Sequence, residues 1–211
     1  MNTILEYSVI GLEGLTALFA FIFYKKYSHT YLRFFPWLLL YVFLNEIFAG
    51  YFNSLFGNNA HIYNVYNIIF FMYFYFVFYT NEHRKSYKLW ILIAAICFMV
   101  TSIVNAVYQP FGSQPQLLSY IVGACVLLFC IILYFIEILY TPQILHIRKD
   151  LLFWVSIGLL LFYVGYIPIK VSRAFFEQKD NNFITLGIVH CILVIIMNTC
   201  FIIGFLWTKK K

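Results

Sequence analysis

Charge is what this sequence has least of. Asp, Glu, Lys and Arg together make up 10% of the 211 residues, against about 25% in an ordinary soluble domain. With 64% hydrophobic residues and 22% aromatics, the chain has too little polar surface to cover a soluble fold. That excludes a soluble enzyme, a disordered chain and a nucleic-acid-binding module, and no direct nucleic-acid contact is expected. The five cysteines (Cys97, Cys125, Cys130, Cys191 and Cys200) all lie in apolar runs, and none forms a CxxC pair. They read as embedded thiols, and neither a disulfide scaffold nor a metal site is expected. The opening Met1-Asn2-Thr3 carries no Lys or Arg, so it does not read as a cleavable signal peptide. Phosphate-loop, dinucleotide, nucleophile-elbow and zinc-helix motifs are all missing, and the last apolar run has no lysine to hold a retinal Schiff base. A non-enzymatic protein without a cofactor is the expectation.

Long hydrophobic runs are present in abundance. A helix needs about 20 apolar residues to cross the hydrocarbon core. Seven segments meet that requirement, at about 4–24, 31–52, 61–80, 88–108, 117–140, 151–170 and 184–207. Polar breaks separate them, among them Lys25-Lys26, Gly57-Asn58-Asn59, Asn81 to Lys85, Gln109-Pro110, Arg148 to Asp150 and Gln178 to Asn182. Runs of this length, apolar on all sides, are helices and not the ten-residue alternating strands of a barrel. The predicted fold class is all-α: a polytopic membrane protein with seven transmembrane helices in a single domain over 1–211 and no soluble domain.

The loops set its direction. Eleven of the 14 basic residues lie in loops one, three and five and in the tail: Lys25, Lys26 and Arg33; Arg84, Lys85 and Lys88; Arg148 and Lys149; and Lys209 to Lys211. Loops two and four hold none, and loop six offsets Lys170, Arg173 and Lys179 with Glu177 and Asp180. Basic loops stay cytoplasmic, so the N-terminus is expected outside and the C-terminus in the cytoplasm. The odd number of spans agrees. Trp37, Trp90, Trp154 and Trp207 all fall near inner helix ends, as interfacial anchors do. A basic inner rim of this kind suits anionic lipid head groups.

A mid-helix charge costs about 2.5–3.5 kcal/mol on insertion scales, which makes the polar residues inside the spans the natural places to look for function. Taken by depth, Glu13, Glu46, Asn64, Asn67, Asn105 and His190 come from five helices and gather in the outer half, whereas Glu137 and Asn198 lie in the inner half. Two readings compete. Those six residues line an outward-facing ligand cavity, or the amides are interhelical hydrogen bonds that hold the bundle together. Glu13, Glu46 and His190 carry the functional reading, because helices one, two and seven commonly adjoin in a seven-helix bundle. They sit on three separate helices with no i, i+4 pairing, so no metal is expected. Half of 61–80 is Tyr or Phe, with rings on every face, which is packing rather than a one-sided ligand stripe. Gly11 and Gly14, and Gly158 and Gly165, are candidates for close helix approach.

The run Phe153-Trp154-Val155-Ser156-Ile157-Gly158-Leu159-Leu160-Leu161-Phe162-Tyr163 resembles the start of helix six in a family of small seven-helix membrane proteins of Bacteroidetes. His61 to Phe71 is similar to that family's third helix, with Phe70 standing where a Glu is common. The resemblance implies a seven-helix plan and, since such proteins often stand beside histidine kinases, a sensory accessory role by association. In size and composition the chain is also similar to membrane accessory proteins of RNA-targeting CRISPR loci. The leading expectation is a receptor-like or signalling accessory with an outward-facing polar cavity, membrane lipids around it and a protein partner on the cytoplasmic face. The alternative is a transporter or an oligomeric pore of identical copies, including a defence-system effector.

Overall fold

The computed structural model describes residues 3–141, 147–173 and 181–208, without the side chains of Thr3, Ile4, Glu6 and Asn181. These residues form seven α-helices: α1 Thr3–Ile22, α2 Phe35–Phe56, α3 Ala60–Asn81, α4 Lys85–Tyr108, α5 Leu117–Leu139, α6 Leu151–Arg173 and α7 Asn181–Trp207. Six of them, α2 to α7, are long and apolar enough to cross a membrane; the apolar stretch of α1, Tyr7–Ile22, is shorter. The terminal lysines 209–211, most of loop six and Pro142 lie outside the described residues.

Surface composition supports a membrane setting as strongly as length does. On α4, Ile96 is 55% exposed, Ile103 62% and Val107 79%. Apolar surface left in water costs about 25 cal/mol per Å², and a contiguous face of this kind fits hydrocarbon. The chain is an integral membrane protein by this evidence of length and surface together.

Local signals explain where the helices begin and end. Pro36 in the first turn of α2 lacks only an N–H that has no intrahelical partner there. Gly57 ends α2 with φ at +70°, a left-handed conformation that glycine adopts without strain, and its N–H bonds Asn53 O at 2.9 Å. Asp150 caps α6, its Oδ1 accepting the Leu152 N–H at 3.1 Å. The sequence places α2 about four residues early, because residues 31–34 are apolar enough to count as a span yet form turns. It also ends the sixth span at 170, whereas α6 continues to Arg173.

The helices group into two compact units: residues 1–43 with 145–211, and residues 44–144. In the first, α6 packs along α7 and α1 along the other side of α7. Trp154 meets Trp207 edge-on at 5.4 Å, and Tyr166 meets His190 at 4.3 Å, so α6 and α7 are antiparallel. Their seam is close because it is built on glycine. A Cβ on Gly158 would stand 3.0 Å from Met197 O, and one on Gly204 2.8 Å from Trp154 Cβ. Lys26 Nζ donates to Phe205 O and Leu206 O, both at 3.2 Å, capping the negative end of α7. That contact puts the C-terminal ends of α1 and α7 together, so the two run parallel. The first part of α2 joins them: Phe35 meets Phe201 at 5.5 Å, and Phe43 fills the space beside Gly14. Helices one, two and seven therefore adjoin in this unit, as the bundle argument expects.

In the second unit the later part of α2 forms a hairpin with α3, and α3, α4 and α5 pack on one another. The core is aromatic. Phe71 lies between Phe98 and Tyr120, each at 5.6 Å, and Tyr75 donates to Gly123 O at 2.7 Å. Gly123 has room for no side chain, since a Cβ would lie 2.6 Å from the Phe71 ring. The rings of α3 are thus used for packing on one side, while Phe76 is 53% exposed on the other. Phe70, at the position where a Glu is common in the resembled family, is buried between Tyr66 and Phe74.

Candidate functional site

The six residues singled out by depth divide between the two units. Glu13 and His190 belong to the first; Glu46, Asn64, Asn67 and Asn105 belong to the second.

In the second unit Asn64 and Asn105 are engaged by the chain itself. Asn64 Nδ2 donates to Phe111 O at 2.8 Å and to Gln114 O at 2.9 Å, and Asn64 Oδ1 accepts the Gln116 N–H at 3.1 Å. Asn105 Nδ2 donates to Gln116 Oε1 at 2.6 Å, and Gln116 Nε2 reaches back to Gln109 O at 3.0 Å. This network ties the α4–α5 connection down onto α3. Its physical logic is that a loop at membrane depth must satisfy its backbone within the protein. Gln116 is the residue that depth counting missed: it is 5% exposed and central to the network, yet in sequence it reads as a loop residue beside Pro115. Half-buried Glu46 accepts a hydrogen bond from Tyr63 Oη at 2.9 Å. Asn67 is half-buried one turn beyond Asn64. Asn45, 7% exposed on α2, has an Nδ2 with no hydrogen-bond partner among the described residues.

The opposite end of this unit holds a second polar cluster. Glu82, 2% exposed, caps α3, and Glu137, 5% exposed, stands on α5. Glu82 Oε1 accepts the Arg84 N–H at 3.0 Å and Glu137 Oε1 accepts the His83 N–H at 3.1 Å, which brings the two carboxyls within electrostatic reach of each other. Burial, and then the neighbouring Glu137 carboxyl, push Glu82 up to about 7 against the pull of these N–H groups. The pair was visible in sequence only as one loop acid and one helix acid 55 residues apart. Nothing in a single sequence joins them.

In the first unit the arrangement is different. His190 on α7 stacks on the Tyr166 ring at 4.3 Å and lies 5.9 Å from the Phe162 ring. Lys170 and Arg173 stand one and two turns beyond Tyr166 on α6, within electrostatic reach of His190. Lys170 Nζ is 5.9 Å from the Tyr166 ring centroid, and Arg173 lies 4.1 Å above the Phe183 ring. Glu13 is buried on α1 at 8% exposure. The Tyr27 ring meets Phe205 while its Oη donates to Ala20 O; Glu13 is seven residues from Ala20 and His190 fifteen from Phe205, so at 1.5 Å per residue Glu13 lies about two turns deeper than His190. Comparison with known proteins adds no neighbour: no protein-family model, curated protein or solved structure matches this chain.

Among the described residues no three His, Cys, Asp or Glu side chains converge as metal ligands. Many helix hydroxyls are spent on the carbonyl one turn back: Thr16 on Leu12 O at 2.8 Å, Thr101 on Cys97 O at 2.8 Å and Thr199 on Ile195 O at 2.7 Å. Ser102 bonds Phe98 O, and Ser102 and Ser119 share a bond at 2.6 Å.

Proposed function

We propose that this chain is a non-enzymatic protein of the bacterial inner membrane, N-terminus outside and C-terminus in the cytoplasm, acting as a receptor-like or signalling accessory. The observation that carries the reading is the His190–Tyr166 stack, with Glu13 buried deeper in the same unit on α1. Embedding such groups costs free energy that apolar side chains would not, and a polar site open from outside offsets that cost when a ligand is bound. The basic residues near the opposite end of this unit (Lys25, Lys26, Arg148 and Lys149) supply a surface for anionic lipids and for a partner on the cytoplasmic face. The resemblance to small membrane proteins found beside histidine kinases points the same way.

The second reading, a transporter or oligomeric pore, is favoured by Glu13, Glu46 and His190 as cation or proton sites. Vesicle flux separates the two. The purified chain, reconstituted into sealed liposomes loaded with a pH-sensitive dye, is expected to leave them as tight as protein-free vesicles under an imposed proton or potassium gradient. A leak that rises with protein density and is lost in Glu13→Gln or Glu46→Gln overturns the receptor reading and establishes the other.

A further inference from the structure

The basic end of the second unit is built around one arginine. Only three residues, Glu82, His83 and Arg84, join α3 to α4. The buried Glu82 and Glu137 accept the backbone N–H groups of Arg84 and His83, and so fix where the Arg84 side chain leaves the turn. That side chain is exposed and stands between two rings. Its guanidinium carbon is 5.3 Å from the Tyr87 centroid and 5.5 Å from that of Tyr140, and Nη1 donates to Tyr87 Oη at 3.3 Å. Tyr87 belongs to α4 and Tyr140 follows the end of α5, so the guanidinium lies where these two packed helices meet the surface. One turn along α4, Lys88 Nζ is 5.4 Å from the Tyr79 ring of α3. Leu89, Trp90 and Leu139 are exposed just beneath, which puts the edge of the hydrocarbon there and Arg84 at the level of lipid head groups.

No acid is placed to neutralise this end. Among the described residues, the partners of the charged ends of Arg84 and Lys88 are rings and one hydroxyl. Asp150, on the other unit, is engaged as the cap of α6. Residues 142–146, which follow Tyr140 and lie outside the described residues, include no Asp or Glu. The side chains of Glu6, Glu177 and Asp180 also lie outside them. Three helices separate the α3–α4 connection from the start of α1, and three from the α6–α7 connection. An odd number of crossings sets those acids at the opposite face of the membrane.

We infer that Arg84, flanked by Tyr87 and Tyr140 and assisted by Lys88, binds the phosphate of an anionic phospholipid in the leaflet that meets this connection. The planar fork of the guanidinium matches phosphate oxygens, and Lys88 adds a point charge one turn away. The rings hold the guanidinium in place and leave its donors to the ligand. The acyl chains run down the exposed face of α4 past Trp90. A diffuse basic surface attracts anionic lipid in proportion to its charge; a fenced guanidinium makes one position special. The inference needs only the membrane setting and goes beyond the receptor reading without resting on it.

Thermal unfolding of the full chain in a neutral detergent tests the site, with dioleoyl phosphatidylglycerol titrated against dioleoyl phosphatidylcholine. The anionic lipid is expected to raise the melting temperature saturably, by about 5 °C or more, and the zwitterionic lipid by much less. Arg84→Gln is expected to raise the half-saturating mole fraction about fivefold or more. The deciding variant is Arg84→Gln with Ser86→Lys. Ser86 is exposed in the first turn of α4, so this pair keeps the charge of the connection, and with it the topogenic signal, while taking the fork from between its rings. It is expected to bind as weakly as Arg84→Gln alone. Half-saturation within about twofold of the parent in that variant means that net charge alone attracts the lipid, and overturns the site. An equal rise with both lipids, or no rise with either, overturns it too; in the last case the connection is left as topogenic charge or as a surface for a protein. Should Arg84→Gln alone elute as aggregate, the charge-keeping variant decides the matter. Leaking vesicles together with the expected lipid titration remove the receptor reading and leave this site standing, so the two failures are distinguishable.

Discussion

At the residue scale, the acidic pair makes the sharpest prediction. Two carboxyls buried within reach of each other resist ionising together, so the pair keeps a proton more readily than either would alone. Glu82 lies just past the end of α3, and its folded pKa of about 7 is above the unfolded 4.5. The folded chain therefore binds this proton more tightly than the unfolded chain does. Between about pH 4.5 and pH 7 the native state holds more protons, and its stability falls as pH rises through that window. His83, Arg84 and Lys85 follow Glu82 directly, with Lys88 one turn on, and Tyr140, just past the end of α5, has its ring centroid 5.5 Å from the Arg84 guanidinium. The melting temperature in detergent is expected to decline from pH 5 to pH 7, and Glu82→Gln to flatten that decline by fixing a neutral donor beside Glu137. An unchanged slope in the variant rules out the shared proton. Asn105→Ala is the counterpart at the other end. It strips Gln116 Oε1 of its buried donor and should cost about 1–3 kcal/mol. Depth counting brought Asn64 and Asn105 forward correctly as unusual residues. It could not show that their partner was Gln116, because a hydrogen bond between residues 52 apart leaves no mark in one sequence.

At the element scale, the α6–α7 seam turns a sequence signature into packing. The run from Phe153 to Tyr163 places Trp154 against Gly204 and Trp207, fully buried Ser156 inside the bundle, and Gly158 against the α7 backbone. Gly158 and Gly165 were legible as small residues, and both face α7 closely: a Cβ on Gly165 would come 2.9 Å from Leu193. Gly11, equally prominent in sequence, faces open space. Spacing of glycines cannot separate the two cases, because these helices are apolar on every side and do not announce which face is turned inward. The expected consequence is a contrast. Gly158→Ala forces a methyl group onto Met197 O and should destabilise by about 1–3 kcal/mol through overpacking. Gly11→Ala adds a methyl group in open space within a helix and should be neutral or stabilising by up to about 1 kcal/mol. Equal melting temperatures for the two variants would mean that the seam is not as close as the structure draws it.

At the scale of the whole molecule, the distribution of charge governs orientation, and each unit shows the same asymmetry by itself. In the first, Lys25, Lys26, Arg148 and Lys149 flank the ends of α1, α6 and α7 that also carry Trp154 and Trp207, with the Trp154 Nε1–H donating to Arg148 O at 2.9 Å. In the second, Arg84, Lys85 and Lys88 stand where α3 ends and α4 begins, whereas the connections from α2 to α3 and from α4 to α5 contain no Lys or Arg. The division into units was not legible, since seven uniformly apolar helices give no pairing preference; the seven helices were, six of them long and apolar enough to cross a membrane and α1 shorter than its apolar run suggested. Positive residues resist translocation, so the two basic ends are expected on the cytoplasmic side. An alkaline phosphatase reporter, active only outside the cytoplasm, should be active when inserted at Ser113 and silent when fused after Lys211. Reversing the charge of Arg84, Lys85 and Lys88 to Glu should weaken the retention of that loop and raise activity from a reporter placed at Lys85. Activity after Lys211 in the unaltered chain would invert the orientation and put both basic ends outside, against the resistance of positive residues to translocation.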